Sequence, residues 1–223
     1  MEVLYIMKKI FIPFLIALIF LGTASLSRVV ANNEPSIKVN NQKQIIKVFV
    51  GRPSNHIILD KYTSDRKNEL TKLVKEDEDR VIDVLIVLNK FVDANEARSI
   101  IDSKDIEIKR IWISANGSQA GGDAVVVNND VHSSLMYWKE EFDKSYDSLK
   151  NGVGYDILYK ALQNDKIQIY ALLVSAPVAK LDALDDKAIY LIDAHYSQKA
   201  LEIASNKNYE VRYIDCPRRP DGI

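Results

Sequence analysis

The chain is short of cysteine, histidine, glycine and net charge. Cys216 is its single cysteine. No disulfide can therefore close within the chain, and a cysteine-rich metal site is excluded. The thiol reads as a near-terminal group of no special role, the sharper reading being a bond between two chains. The three histidines, His56, His132 and His195, stand far apart and share no metal-ligand spacing. Thirty basic residues against thirty-one acidic ones leave a formal charge of −1, where a nucleic-acid partner would call for a clustered basic surface. No G-x-S-x-G nucleophile motif is present. The one glycine-dense stretch, Asn116 to Asp123, lacks the GKS or GKT ending of a phosphate loop and the helix that should follow it. It reads as a loop in which glycine supplies positive φ.

A membrane-directed leader is present. Lys8 and Lys9 precede a run without formal charge from Ile10 to Ser27, and Val29-Val30-Ala31 offers small residues before Asn32. A short basic segment, an apolar stretch and a small-residue cleavage site define a secretory signal. Residues 1–31 are thus expected to be a signal peptide or, if retained, a membrane anchor. The strongly apolar part is shorter than the roughly 20 residues of a full span, which favours cleavage. Met7 offers an alternative start, because Glu2 is out of place in a basic leader. The body is expected to be secreted or extracytoplasmic.

Residues 32–79 read as a linker with short strands and a helix. Ile45, Ile46, Val48 and Val50 make a β-rich run that Gly51-Arg52-Pro53 stops, and Ile57 to Leu59 make a second short run. Leu70, Leu73 and Val74 share one stripe of a helix predicted over 63–78, with Thr63 or Ser64 as its cap. Residues 80–215 read as the folded domain, and the Pro-rich tail 216–223 cannot continue a central strand.

The domain pattern is repeated. A strand is predicted at 81–90. Asp93 and Glu96 form an acidic capping box opening a helix at 93–103. The next strand, 106–114, alternates imperfectly: Ile106, Ile108, Trp112 and Ser114 fall on one parity, Ile111 and Ile113 on the other. Val125 to Val127 suggests another strand. In 132–150, Leu135, Trp138, Phe142, Tyr146 and Leu149 recur at three or four, an apolar stripe expected in the core. Gly152 and Gly154 end that helix, and a short one follows at 155–162. Then come strands at 166–176 and 188–196 around a helix at 177–186 that Pro177 opens. A helix from Ser197 and a strand at 209–215 complete the chain.

The candidate chemistry is sparse. Asp193 and His195 share one face of a strand and could act as an orienter and a base, but a structural or surface role is the plainer reading. Asp182, Asp185 and Asp186 lack the spacing of a calcium loop and read as a solvated helix end. Asn116-Gly-Ser118 matches a glycosylation acceptor, relevant only in a eukaryotic secretory route. No residue is assigned a catalytic, cofactor-binding or metal-binding role.

Two β-α-β halves around a helical insertion point to an α+β fold: a ferredoxin-like βαββαβ sheet with a helical insertion and an added C-terminal helix and strand. Three pieces carry a resemblance: VIDVLIVLNKFVDANEARSIIDSKDIEIKRIWIS, GYDILYKALQND and KIQIYALLVSAPVAKLDALDDKAIYLIDAHY. From Arg80 to Tyr196 the chain resembles the extracytoplasmic C-terminal domain of bacterial anti-sigma factors. The resemblance implies a non-catalytic sensory or interaction module outside the membrane, without a cofactor. Its expected partner is a protein at the cell surface or membrane, and no nucleic acid. An exported hydrolase using Asp193 and His195, or acids of the Gly-rich loop, and a propeptide-like inhibitor module are the alternative readings. Those regulators carry a cytoplasmic sigma-binding part before their membrane span; at most nine residues stand before the apolar run here, so direct sigma binding is not expected.

Overall fold

Val81–Val92 organises the molecule. In the computed structural model, which describes residues 36–49, 56–101, 105–115, 120–150, 152, 154–184, 187–194, 203 and 210–214, this strand is paired on both sides. The elements run β1 (Ser36–Asn40), β2 (Ile45–Phe49), α1 (His56–Glu76), β3 (Val81–Val92), α2 (Ala94–Ile100), β4 (Glu107–Ala115), β5 (Gly121–Val125), α3 (Val131–Leu149), α4 (Tyr155–Gln163), β6 (Ile167–Pro177), α5 (Val178–Asp182), β7 (Ile189–Asp193) and β8 (Glu210–Ile214). The fold is mixed α and β. Five strands form one antiparallel sheet in the order β5-β4-β6-β3-β7.

Helices cover one face of this sheet. Ile82, Val84, Ile86 and Leu88 alternate toward it along β3, and each helix contributes to the same cluster: Leu70 from α1, Ala97 from α2, Trp138 and Phe142 from α3, Leu158 and Leu162 from α4, Leu181 from α5. Helices α2 and α5 thus share a face. The opposite face gathers Leu85, Val87, Trp112, Tyr170, Ala171 and Leu173 beneath Ile46 of β2. Burying both faces explains why the central strands β3 and β6 are nearly continuous apolar runs.

Helix ends are met by local partners. Asp93 Oδ1 accepts from the Glu96 amide at 2.8 Å, so the expected cap forms; the Glu96 carboxylate turns to Lys90. Asp130 caps α3 through the Ser133 amide and hydroxyl, and these bonds hold its carboxyl below the usual range. Pro177 lies just before α5, whose first amides donate to the carbonyls of Arg80 and Glu78. Gly154 ends the α3–α4 turn at φ 84°, a left-handed conformation that glycine takes without strain.

Several expectations are corrected. Ile57 to Leu59 do not make a separate run but belong to α1, which begins at His56; Thr63 and Ser64 therefore lie inside the helix and do not cap it. Lys109 is an extra residue in β4, bulged between the Ile108 and Arg110 pairings with β6. The bulge reverses the parity, so Ile106, Ile108, Ile111 and Ile113 all face the helices, while Trp112 faces the other way. Asn129 serves the strand beside this irregularity: its Oδ1 accepts from the Ile108 amide at 2.7 Å and its Nδ2 donates to the Ile106 carbonyl at 3.1 Å.

The insertion, expected to be helical, also reaches into the sheet. It supplies β5, which extends the β4 edge. Gly121, Gly122 and Asp123 are therefore strand, not loop, and a Cβ at Gly121 would collide with the Ile113 carbonyl oxygen. Nor does the C-terminal strand extend an edge of this sheet. β8 pairs in parallel with β2, and β2 in antiparallel fashion with β1, to make a separate three-stranded sheet. A parallel neighbour for β2 is open to β8 because the crossover between them contains the whole larger sheet. The leader, the tail from Asp215 and all but Ile203 of the residues expected to form a C-terminal helix lie outside the described residues.

Candidate functional site

Two side-chain clusters stand out among the described residues, one at the β7 edge and one on the α3–α4 pair. Asp193 ends β7 and is 4 % exposed. Its register partner is Leu85 of β3, and α1 packs along this edge strand. The phenol of Tyr62, on α1, donates to Asp193 Oδ2. A charge-assisted bond of this kind replaces water that burial has removed. The Arg66 guanidinium lies over the Tyr62 ring, 5.2 Å from its centroid, and pairs with Glu69 at 2.7 Å. Tyr62, Arg66 and Glu69 therefore form one polar stripe that sets the N-terminal half of α1 against β7.

This stripe was legible in principle, since its members are spaced four and three apart on a helix. The apolar residues Leu70, Leu73 and Val74 give the stronger signal in the same segment. Asp193 is brought to Tyr62. Its sequence neighbour His195 lies outside the described residues, as do Asp185, Asp186, Cys216, Asn116 and Ser118. His56 begins α1, His132 is exposed in the first turn of α3, and Asp182 is exposed at the end of α5. Among the described residues no three His, Cys, Asp or Glu side chains gather in a way that could hold a metal ion.

The Trp112 face of the sheet also carries two ion pairs. Lys109 Nζ reaches Asp83 Oδ1 at 2.7 Å across β6. Arg110 pairs with Asp123 of the neighbouring strand β5. Both pairs border the Trp112 cluster and join the strands laterally.

The second cluster is aromatic. Phe142 stacks on Tyr155 with centroids 4.9 Å apart and planes at 7°, and Trp138 leans on Phe142. Farther out, Tyr146 stacks on Tyr159 at 4.1 Å and 27°. Each outer phenol meets a carboxylate: Tyr146 donates to Asp156 at 3.1 Å, Tyr159 to Asp143 at 2.8 Å. Gln163 also donates to Asp143, and Lys160 pairs with Asp156. The bond to Asp143 is the main reason the Tyr159 phenol is raised; the Lys160 partner is the main reason Asp156 is lowered. The stripe predicted from sequence is core at its inner end: Trp138 and Phe142 border a cavity of only about 10 Å³ between α3, α4 and the β4–β5 edge.

Tyr155 gives this cluster a pH signature. Burial, then the negative charge of Tyr159, Asp143 and Tyr146, pushes its phenol from 10.0 up to about 12. Its hydroxyl donates to the Phe142 carbonyl at 3.3 Å. A raised acid favours the folded state while it stays protonated. The contribution is full below the unfolded value and is lost as pH rises from 10.0 to about 12. A gap of that size is worth about 2–3 kcal/mol. Urea titrations across this window should therefore show the wild type losing more stability than Tyr155→Phe. Equal losses in the two proteins would remove Tyr155 as the cause.

Compared with protein-family models, with curated proteins and with solved structures, the chain matches none. Among the described residues no helix is long and apolar enough to cross a membrane.

Proposed function

We propose that the chain is a non-enzymatic sensor or interaction module of a bacterium, working outside the cytoplasmic membrane in the manner of the outer domain of anti-sigma regulators. One observation carries the reading. Strands β3, β4, β6 and β7 are joined as two strand–helix–strand units, lie in the order β4-β6-β3-β7, and send α2 and α5 to one face. That order supports a ferredoxin-like βαββαβ layer with a fifth strand added at the β4 edge. The fold alone names no activity, because one layer of this kind serves many. The apolar leader behind Lys8 and Lys9 supplies the location. The partner is then a protein of the envelope or cell surface, and the module needs no cofactor.

Two arms test this reading. Alkaline phosphatase fused after residue 60 should be active, because it folds only outside the cytoplasm. An inactive phosphatase with an active cytoplasmic reporter at the same place would reverse the location. In intact cells, a photo-crosslinking residue at Ile157, 50 % exposed on α4, should trap an envelope protein. Adducts confined to cytoplasmic proteins would overturn the assignment of partner.

A further inference from the structure

We propose that Tyr146 and Tyr159 form an oxidative modification site, in which a peroxide-driven one-electron oxidant couples the two rings into a dityrosine that staples α3 to α4. The pair is built for this step in three respects. Its centroids stand 4.1 Å apart with planes inclined by 27°, so the two ring faces already lie against each other. Each phenol has its own proton acceptor, Asp156 for Tyr146 and Asp143 for Tyr159. Both rings are only half-buried, within reach of a small oxidant.

The acceptors matter because oxidising a phenol at neutral pH requires the proton to leave with the electron. A carboxylate at hydrogen-bond distance takes it without diffusion through solvent. Each ring loses one electron to the oxidant and one proton to its carboxylate, giving two phenoxyl radicals. These join through a carbon–carbon bond between ortho positions. The two ring C–H protons then leave and the oxygens are reprotonated, restoring both phenols. The net loss is two electrons and two protons, and one peroxide O–O bond is broken in accepting the electrons.

Tyr155 is the internal competitor. It lies 6.4 Å from Tyr146, its phenol donates to the Phe142 carbonyl instead of a carboxylate, and it is buried. The geometry therefore selects Tyr159 over Tyr155 as the partner of Tyr146.

The test uses the purified full chain, with persulfate and a photoexcited ruthenium tris-bipyridine complex as the oxidant. The expected product is a monomer lighter by two hydrogens, with blue dityrosine fluorescence and a tryptic linkage joining residue 146 to residue 159. Tyr146→Phe and Tyr159→Phe should each abolish that linkage, whereas Tyr155→Phe and Tyr137→Phe should keep it. Asp143→Asn retains an oxygen acceptor but removes the base, and should slow the coupling. A linkage through Tyr155, cross-links only between chains, or no linkage in the wild type would overturn the proposal. The wild-type peptide map decides this even if a variant fails to fold. None of these outcomes depends on where the protein resides or what it binds.

Discussion

Trp138→Ala should lower the free energy of unfolding by about 3–5 kcal/mol, the cost of emptying a large aromatic site in a core that collapses only in part. Trp138 is 5 % exposed and lies between the α3–α4 helices and the β4–β5 edge. Its loss removes the inner contact of a row of rings that continues through Phe142 to Tyr155. The adjoining cavity is about 10 Å³, so little free volume exists to absorb a shift. Urea denaturation followed by far-ultraviolet circular dichroism measures the effect. An unchanged midpoint would mean that the stripe is an exposed binding face.

Leu70→Ala should cost about 2–5 kcal/mol, the range for a buried leucine truncated in place. This result concerns the standing of α1. Leu70 is 3 % exposed and belongs to the same cluster as the sheet residues Val84 and Ile86, with Leu73 and Val74 packed beside it. A helix in a mere tether would lose almost nothing on this change. A value under about 0.5 kcal/mol, the range of surface substitutions, would show that α1 is peripheral to the core.

The four strands and two short helices of the repeated unit could be read from the sequence because each is signalled locally. β3 and β6 are nearly continuous apolar runs, and Asp93 announces its helix through a cap that forms. What could not be read depended on distant partners. Nothing near Lys109 marks it as a bulge. Only pairing with β6 shows that Ile106 and Ile108 share one face with Ile111 and Ile113, which stand on the opposite parity. The start of α1 was hidden because Ile57 and Ile58 are β-branched and favour strand by propensity, yet are helical in place. The destination of β8 was likewise invisible: its residues specify a strand, and β2 alone determines which sheet receives it.

Of the candidate site, Asp193 was legible because it stands in an apolar strand. Its phenol partner on α1 was not, since the contact joins residues 62 and 193 across the fold. The aromatic stripe was legible as a stripe. That its outer end changes character, from packed rings to phenols facing carboxylates, depends on α4 folding back on α3.

The pairing of Ile45 with Glu210 has a temporal consequence. All five strands of the larger sheet lie between these two residues in sequence. A chain emerging from its amino end can assemble that sheet, with α1 along its edge, before β8 exists as a segment. Closing so long a loop is slow, and the delay grows with sequence separation. The small sheet is thus a clasp fastened last. Until it closes, Ile46 lacks its final setting, and the Trp112 side of the sheet is the face most open to a chaperone or a wrong neighbour.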